Sequence, residues 1–209
     1  MDYNLSKKRR LILKFIEPLV NNYLQLTEAI SDQTTRVTLA NQGTTPSKGT
    51  IAEATLYAHE HDLSLTVLVQ PRLGNASYND PELKIMEADV LEAQQLGADG
   101  VIIGALTQDH ELDTEAMANL IAAAGGMSIT FGTAIDELTE SNQTDSLKWL
   151  ADNGVEKVLT QLTGTDNTAK LSKLNNAAQA AGLQLVVLSK DDAESSRLNE
   201  QLSLTHFLQ

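Results

Sequence analysis

Four histidines, His59, His61, His110 and His206, supply all the imidazole of this 209-residue chain, and it contains no cysteine. The missing thiols remove disulfides, thiolate nucleophiles and thiolate metal ligands together. A metal site within one chain would have to be assembled from imidazole, carboxylate and thioether donors. His59 and His61 stand two residues apart near a helix end, so they point to different faces and read as a solvated terminus. His110, between Asp109 and Glu111, is the candidate metal ligand. His206 falls in the last strand, where a hydrogen-bonded core histidine is the commoner arrangement. For proton transfer or covalent chemistry the candidates are Lys14 and Asp136. A desolvated lysine can form a Schiff base, and a carboxylate can act as acid or base when a partner orients it. Arg36, Arg72 and Thr160 lie at strand ends and are the candidates for ligand binding. Asp191 and Asp192 would repel a phosphate from their loop, whereas Gly164-Thr165 leaves room for a smaller anion. Ser-His-Asp, P-loop and Rossmann patterns are absent.

The elements that must position these residues alternate from end to end. Short apolar runs predict strands over 11–16, 36–40, 64–69, 101–104, 128–131, 157–160, 185–188 and 203–208. Continuous runs such as Val101-Ile102-Ile103 mark strands covered on both faces, hence a parallel sheet. Between them, Asp80-Pro81-Glu82 predicts a capped helix start and Leu96-Gly97 its end. Asp113 caps the next helix, Gly125-Gly126 closes it, and Gly182 closes another. Pro18 is expected to open the first helix, with weaker helical patterns over 51–61, 145–153 and 193–201. Seven crossovers without a linker favour one (β/α)8 TIM-type barrel over residues 1–209, lacking the last outer helix, with an open doubly wound sheet as the alternative. The uncovered last strand leads to the expectation of a homo-oligomer.

The chain is 42% hydrophobic and carries a formal charge of −13. That charge argues against nucleic acid and anionic membrane as partners and leaves a small-molecule ligand. The most apolar stretch, Leu11 to Ile16, is cut by Lys14 and is too short to span a bilayer. With no cleavage site after Lys7-Lys8-Arg9-Arg10, a cytoplasmic location is expected.

Two stretches carry a specific resemblance. Val69-Gln70-Pro71-Arg72-Leu73-Gly74 through Tyr78-Asn79-Asp80 resembles the "IRPRGG…Y(S/N)D" segment of the CutC copper homeostasis family. Gly97-Ala98-Asp99-Gly100-Val101-Ile102-Ile103-Gly104-Ala105-Leu106-Thr107 is similar to that family's "GADGVVIGALT". Thr44-Thr45-Pro46-Ser47, Ala124 to Phe131 and Gly154 to Thr160 resemble its "GGLTPS", "AGGLPVTFH" and "GVDRILT". The resemblance implies a TIM-type barrel, a cytoplasmic protein linked to copper tolerance, and copper as the associated ion. It also implies a polar cluster at the barrel mouth, which this sequence changes position by position. Where the family's first strand reads "LEVC", this chain is read as Leu13-Lys14-Phe15-Ile16. "RIELC" becomes Arg36-Val37-Thr38-Leu39-Ala40. "VHVMIRPR" becomes Leu65 to Arg72, with Thr66 for the histidine and Gln70 for the first arginine. "TFHRAFD" becomes Thr130-Phe131-Gly132-Thr133-Ala134-Ile135-Asp136. The reading reached is a CutC-like barrel associated with copper homeostasis, non-catalytic or divergent, with a weak intrinsic copper site or none. The alternative is a small-molecule enzyme with a remodelled site at the C-terminal face, built around Lys14, Arg36, Arg72 and Asp136.

Overall fold

The computed structural model describes residues 13–31 and 33–209, so part of the strand expected over 11–16 lies outside the described residues. The first strand proves to be split in two by a proline: β1 covers Phe15–Glu17 and β2 covers Leu19–Val20. The remaining strands are β3 (Arg36–Leu39), β4 (Ser64–Leu68), β5 (Gly100–Ile103), β6 (Ser128–Phe131), β7 (Lys157–Thr160), β8 (Gln184–Leu188) and β9 (His206–Leu208). All pairings between them are parallel, in the order β1-β9-β8-β7-β6-β5-β4-β3-β2. Since β1 and β2 are successive pieces of one strand, this order closes into a barrel of eight staves. β1 holds β9, and β2 holds β3. Pro18 fits inside the strand because it supplies a carbonyl there: Thr38 N–H donates to Pro18 O at 2.9 Å. The expectation that Pro18 opens the first helix is therefore corrected. That helix is α1, Tyr23–Ala29, started by Asn22, whose side chain accepts from Gln25 N–H.

The other helices are α2 (Lys48–Glu60), α3 (Asp80–Gln95), α4 (Thr114–Ala124), α5 (Glu140–Asp152), α6 (Thr168–Ala181) and α7 (Asp192–Leu202). Their ends follow local chemistry. α3 begins one residue earlier than Asp80-Pro81 suggested, with Asn79 as its cap. Asn79 accepts from Glu82 N–H at 3.0 Å while the Glu82 carboxylate accepts from Asn79 N–H at 2.9 Å, closing a capping box. Asp113 caps α4, and Gly125 ends it in the left-handed region at φ 54°. Among the described residues, no helix is long and apolar enough to cross a membrane.

Side-chain alternation divides the strands into two populations. Outward residues such as Leu39, Val67, Ile103, Phe131, Val158 and Phe207 pack with the helices in one large core. Fully burying each is worth about 1.5–3 kcal/mol. Ile102, Leu159, Val186 and Leu208 form a separate cluster inside the barrel, with Leu19, Leu68 and Leu188 packed against it. The strands were read as apolar on both faces, and that holds for only part of the interior. Glu17, Thr38, Thr66, Thr130 and Lys157 line a residual interior cavity of about 10 Å³ beneath the leucines. Thr38 and Thr66 are register partners, as are Thr130 and Lys157, so these groups form a polar belt around the inner wall.

Candidate functional site

The C-terminal ends of the strands open into a cleft of about 310 Å³, within the range of small-molecule sites. Its apolar wall includes Leu19, Leu68, Ile102, Leu159, Leu188 and Leu208. Polar groups reach it from the loops: Gln70, Gln161, Thr133, Tyr78 and Glu137. Gly132 and Gly104 leave the space that side chains would take. A Cβ on Gly104 would stand 3.1 Å from the Ala134 Cβ, and one on Gly132 3.3 Å from Ile102 Cγ2. Gly132 itself has an ordinary extended backbone at φ −71° and ψ −167°. Its glycine therefore reflects crowding by Ile102 rather than a conformational demand.

The rim of this cleft is clamped by charged groups that satisfy one another. Arg72 donates to Glu82 Oε1 at 2.7 Å, to Asn75 O at 2.9 Å and to Ser77 O at 2.9 Å. Its guanidinium also lies 5.1 Å from the centre of the Tyr78 ring. The arginine pins the 73–79 loop over the barrel, and its acidic partner is Glu82. Burial pushes the Tyr78 hydroxyl up to about 12; Arg72 opposes this, and Glu137 and Glu82 add to it. On the next side, Asp136 sits in a 3-10 turn over Thr133–Asp136. It accepts from the Thr160 hydroxyl and from Gln161 N–H. Burial raises its carboxyl above the ordinary range against these two hydrogen bonds. Thr160 is fully buried and its hydroxyl is spent on Asp136, so this pair ties β7 to the turn after β6 and does not face the cleft.

Lys14 and Arg36 are elsewhere. The Lys14 ammonium reaches α7, donating to Asp192 Oδ1 at 2.5 Å and Ser196 Oγ at 2.9 Å. Arg36 opens β3 at the N-terminal end of the barrel, with its guanidinium 3.8 Å from the Glu17 carboxylate. The proposed grouping of Lys14, Arg36, Arg72 and Asp136 thus spans both ends of the barrel and forms no common pocket. Glu17, three residues beyond Lys14, is the first-strand carboxylate that enters the barrel and accepts from the Thr38 hydroxyl. Glu17-Pro18-Leu19 therefore suits an inward Glu-x-Cys pattern in the family's first strand better than Lys14-Phe15-Ile16, with Leu19 standing at the thiol's place. Sequence reading also missed Glu137 and Lys157. The signal it had was the alternation Arg36-x-Thr38, Ser64-x-Thr66 and Ser128-x-Thr130, which marks a polar inner face.

The donors for a copper ion do not converge. His59 Nε2 is 3.0 Å from Asp99 Oδ2, and His61 Nδ1 is 2.8 Å from the Tyr57 carbonyl. His110, at φ 56°, has Nδ1 3.7 Å from Glu137 Oε2, while Glu111 accepts from Asn142 Nδ2 at 3.2 Å. His206 stacks on Phe15 with ring centres 4.8 Å apart. Among the described residues no three His, Cys, Asp or Glu side chains are grouped to hold a metal. The chain supplies no thiolate, one of the soft donors that select Cu(I). The anion site considered at Gly164-Thr165 is answered internally: Glu194 accepts from Gly164 N–H at 3.3 Å and from Lys190 N–H at 3.0 Å.

Comparison with known proteins adds the family dimension. The model of the CutC family matches residues 15–200. A CutC family protein of Enterococcus faecalis is 44% identical over 143 residues, 66% of this chain and 68% of its own. The human copper homeostasis protein cutC homolog is 34% identical over 131 residues, 63% of this chain and 45% of its own. The crystal structure of CutC from Streptococcus agalactiae aligns with a TM-score of 0.85 at 30% identity, covering 94% of this chain and 98% of that one. The citrate synthase SbnG, at 10% identity and a TM-score of 0.62, shares the barrel fold.

Proposed function

Because the chain belongs to the CutC family, we propose that it serves copper homeostasis as a ligand-binding barrel whose own side chains do not hold copper tightly. The observation that carries this reading is the mouth cleft of about 310 Å³, walled by leucines and glycines. Such a wall suits a small molecule with an apolar body and a neutral polar end that meets Gln70, Gln161 or Thr133. Soft thiolates favour Cu(I), and this mouth offers none.

A Cu(I) competition titration against a strong chelator tests the copper half. The wild-type protein is expected to leave the metal with the chelator. The double variant Leu19→Cys, Ala40→Cys puts one thiol on β2 and one just past the end of the neighbouring β3, both lining the mouth, and it is expected to gain Cu(I) binding. Stoichiometric uptake by the wild type overturns the reading. For the ligand half, an environment-sensitive apolar dye is expected to bind the wild type and to be displaced when Leu188→Trp fills the cleft. Equal dye binding by both proteins counts against a mouth site.

A second reading, catalysis at the same mouth, is favoured by Glu137. Its carboxylate lines the cleft, accepts from Ala76 N–H at 3.1 Å and has His110 3.7 Å behind it. That arrangement is a carboxylate oriented for proton transfer with an imidazole in reserve.

A further inference from the structure

The turn after β6 carries a carboxylate into the mouth. Gly132 leads into the 3-10 turn Thr133–Asp136, and Glu137 follows directly, its N–H donating to Ala134 O at 3.1 Å. Among the described residues that line the cleft of about 310 Å³, Glu137 is the one with a charged side chain; the rest are apolar, glycine or neutral polar. Tyr78 adds no second charge, because burial pushes its hydroxyl up to about 12 and keeps it protonated.

The charge of Glu137 is oriented but not cancelled. Ala76 N–H stands 3.1 Å from its Oε1 and 3.4 Å from its Oε2, which fixes the carboxylate without neutralising it. Its one ion-pair contact among the described residues is the half-exposed His110, whose Nδ1 is 3.7 Å from Oε2 and so outside hydrogen-bond distance. Arg72, the cation of this rim, is committed to Glu82 at 2.7 Å and to the carbonyls of Asn75 and Ser77. A carboxylate offers about four acceptor positions, so several remain for a ligand.

A single charge set among low-dielectric walls acts more strongly than the same charge in water, and it acts on one sign only. An anionic ligand would be repelled. A neutral one would displace water from Glu137 without replacing the lost interaction. An ammonium group brings three donors and the opposite charge.

We propose that the mouth selects a small primary amine, with its ammonium on the Glu137 carboxylate and its apolar body against Leu19, Leu68 and Leu159. The inference rests on the mouth reading given above and adds a cationic group to the apolar body and neutral polar end described there.

The test displaces the apolar dye from the full chain with hexylamine, 1-hexanol and hexanoate, which share one alkyl chain and differ in the head group. At about pH 8 an alkylamine, like a lysine side chain, is a cation. Hexylamine is expected to displace the dye at a concentration at least tenfold below that of hexanol, and hexanoate to be the weakest. Glu137→Gln should erase the advantage of the amine and leave hexanol unchanged, whereas Glu53→Gln, which removes the same charge from the exposed side of α2, should preserve the ranking. Equal displacement by hexylamine and hexanol keeps the mouth site and overturns its amine selectivity, as does an advantage that survives Glu137→Gln. Displacement by none of the three removes the mouth reading and this proposal with it. Should Glu137→Gln fail to fold, the ranking of the three probes on the wild type decides alone.

Discussion

At its C-terminal end the barrel is walled by Leu19, Leu68, Leu159, Leu188 and Leu208, whereas Arg36, Lys157 and His206 cluster at its N-terminal end, in the same cylinder. TIM-type enzymes commonly keep reactive groups at the C-terminal face and leave the other end to stability. Here three charged residues of the C-terminal rim are engaged in holding loops: Arg72 on the 73–79 loop, Asp136 on Thr160 and Gln161, Glu194 on Gly164 and Lys190, while the Glu137 carboxylate lines the cleft itself. The N-terminal cations stand beside carboxylates of their own, Arg36 next to Glu17 and Lys157 near Glu17 and Glu156. The difference teaches that the location of charge and the location of available charge are separate questions. Sequence composition speaks only to the first.

Substitutions at the two ends should therefore fail in different ways. The largest effect is expected from Leu159→Ala, which removes a 95% buried side chain from the interior cluster. It should cost about 2–5 kcal/mol in denaturant unfolding and enlarge the mouth. A loss below about 1 kcal/mol would mean that the interior leucines are loosely packed.

Asp136→Ala comes next. It leaves the buried Thr160 hydroxyl and the Gln161 N–H without their acceptor, a loss of about 1–3 kcal/mol. It should also remove a pH dependence. The Asp136 carboxyl is raised in the fold, so its contribution is present below the unfolded carboxylate range and fades as pH rises through the folded value. Chemical unfolding across the acid range should show that slope in the wild type and not in the variant.

At the other end the sign reverses. Burial and Arg36 lower Lys157, and burial, Arg36 and Lys157 lower His206, so each group binds its proton less tightly in the fold. Stability should therefore rise with pH between the folded and unfolded midpoints of each group. For His206 that window ends near its ordinary 6.5, and for Lys157 near 10.5. His206→Gln should flatten the first slope and Lys157→Met the second, as read from unfolding curves at closely spaced pH. Slopes of the opposite sign would contradict the burial of Lys157 and His206, the larger cause of both shifts.

The smallest change is expected for Gly132→Ala. Its backbone suits any residue, and the new methyl meets Ile102 Cγ2 at 3.3 Å. The cost should be within about 1 kcal/mol, because loss of chain entropy in the unfolded state offsets mild crowding. A larger loss in thermal unfolding would show that Ile102 cannot yield, and that the mouth is shaped more rigidly than its leucine wall suggests.

The sequence by itself determined the parallel barrel and most of its joints. Runs such as Val101-Ile102-Ile103 can be stable only when covered, and Asp113, Gly125 and Gly182 mark helix ends through backbone chemistry that acts over a few residues. The motifs from Gln70 to Asp80 and from Gly97 to Thr107 also carried the family. What it could not determine was which side chains share a space. Pro18 looked like a helix start because local preference cannot register that a neighbouring strand, through Thr38 N–H, would need its carbonyl. Lys14 looked like an interior group, but three residues of register carry Glu17 into the barrel and turn Lys14 towards Asp192. Arg36, Lys157 and His206 lie more than 40 residues apart in pairs. Only closure of the barrel brings them to one end, because parallel strands align their starts however far apart they lie along the chain.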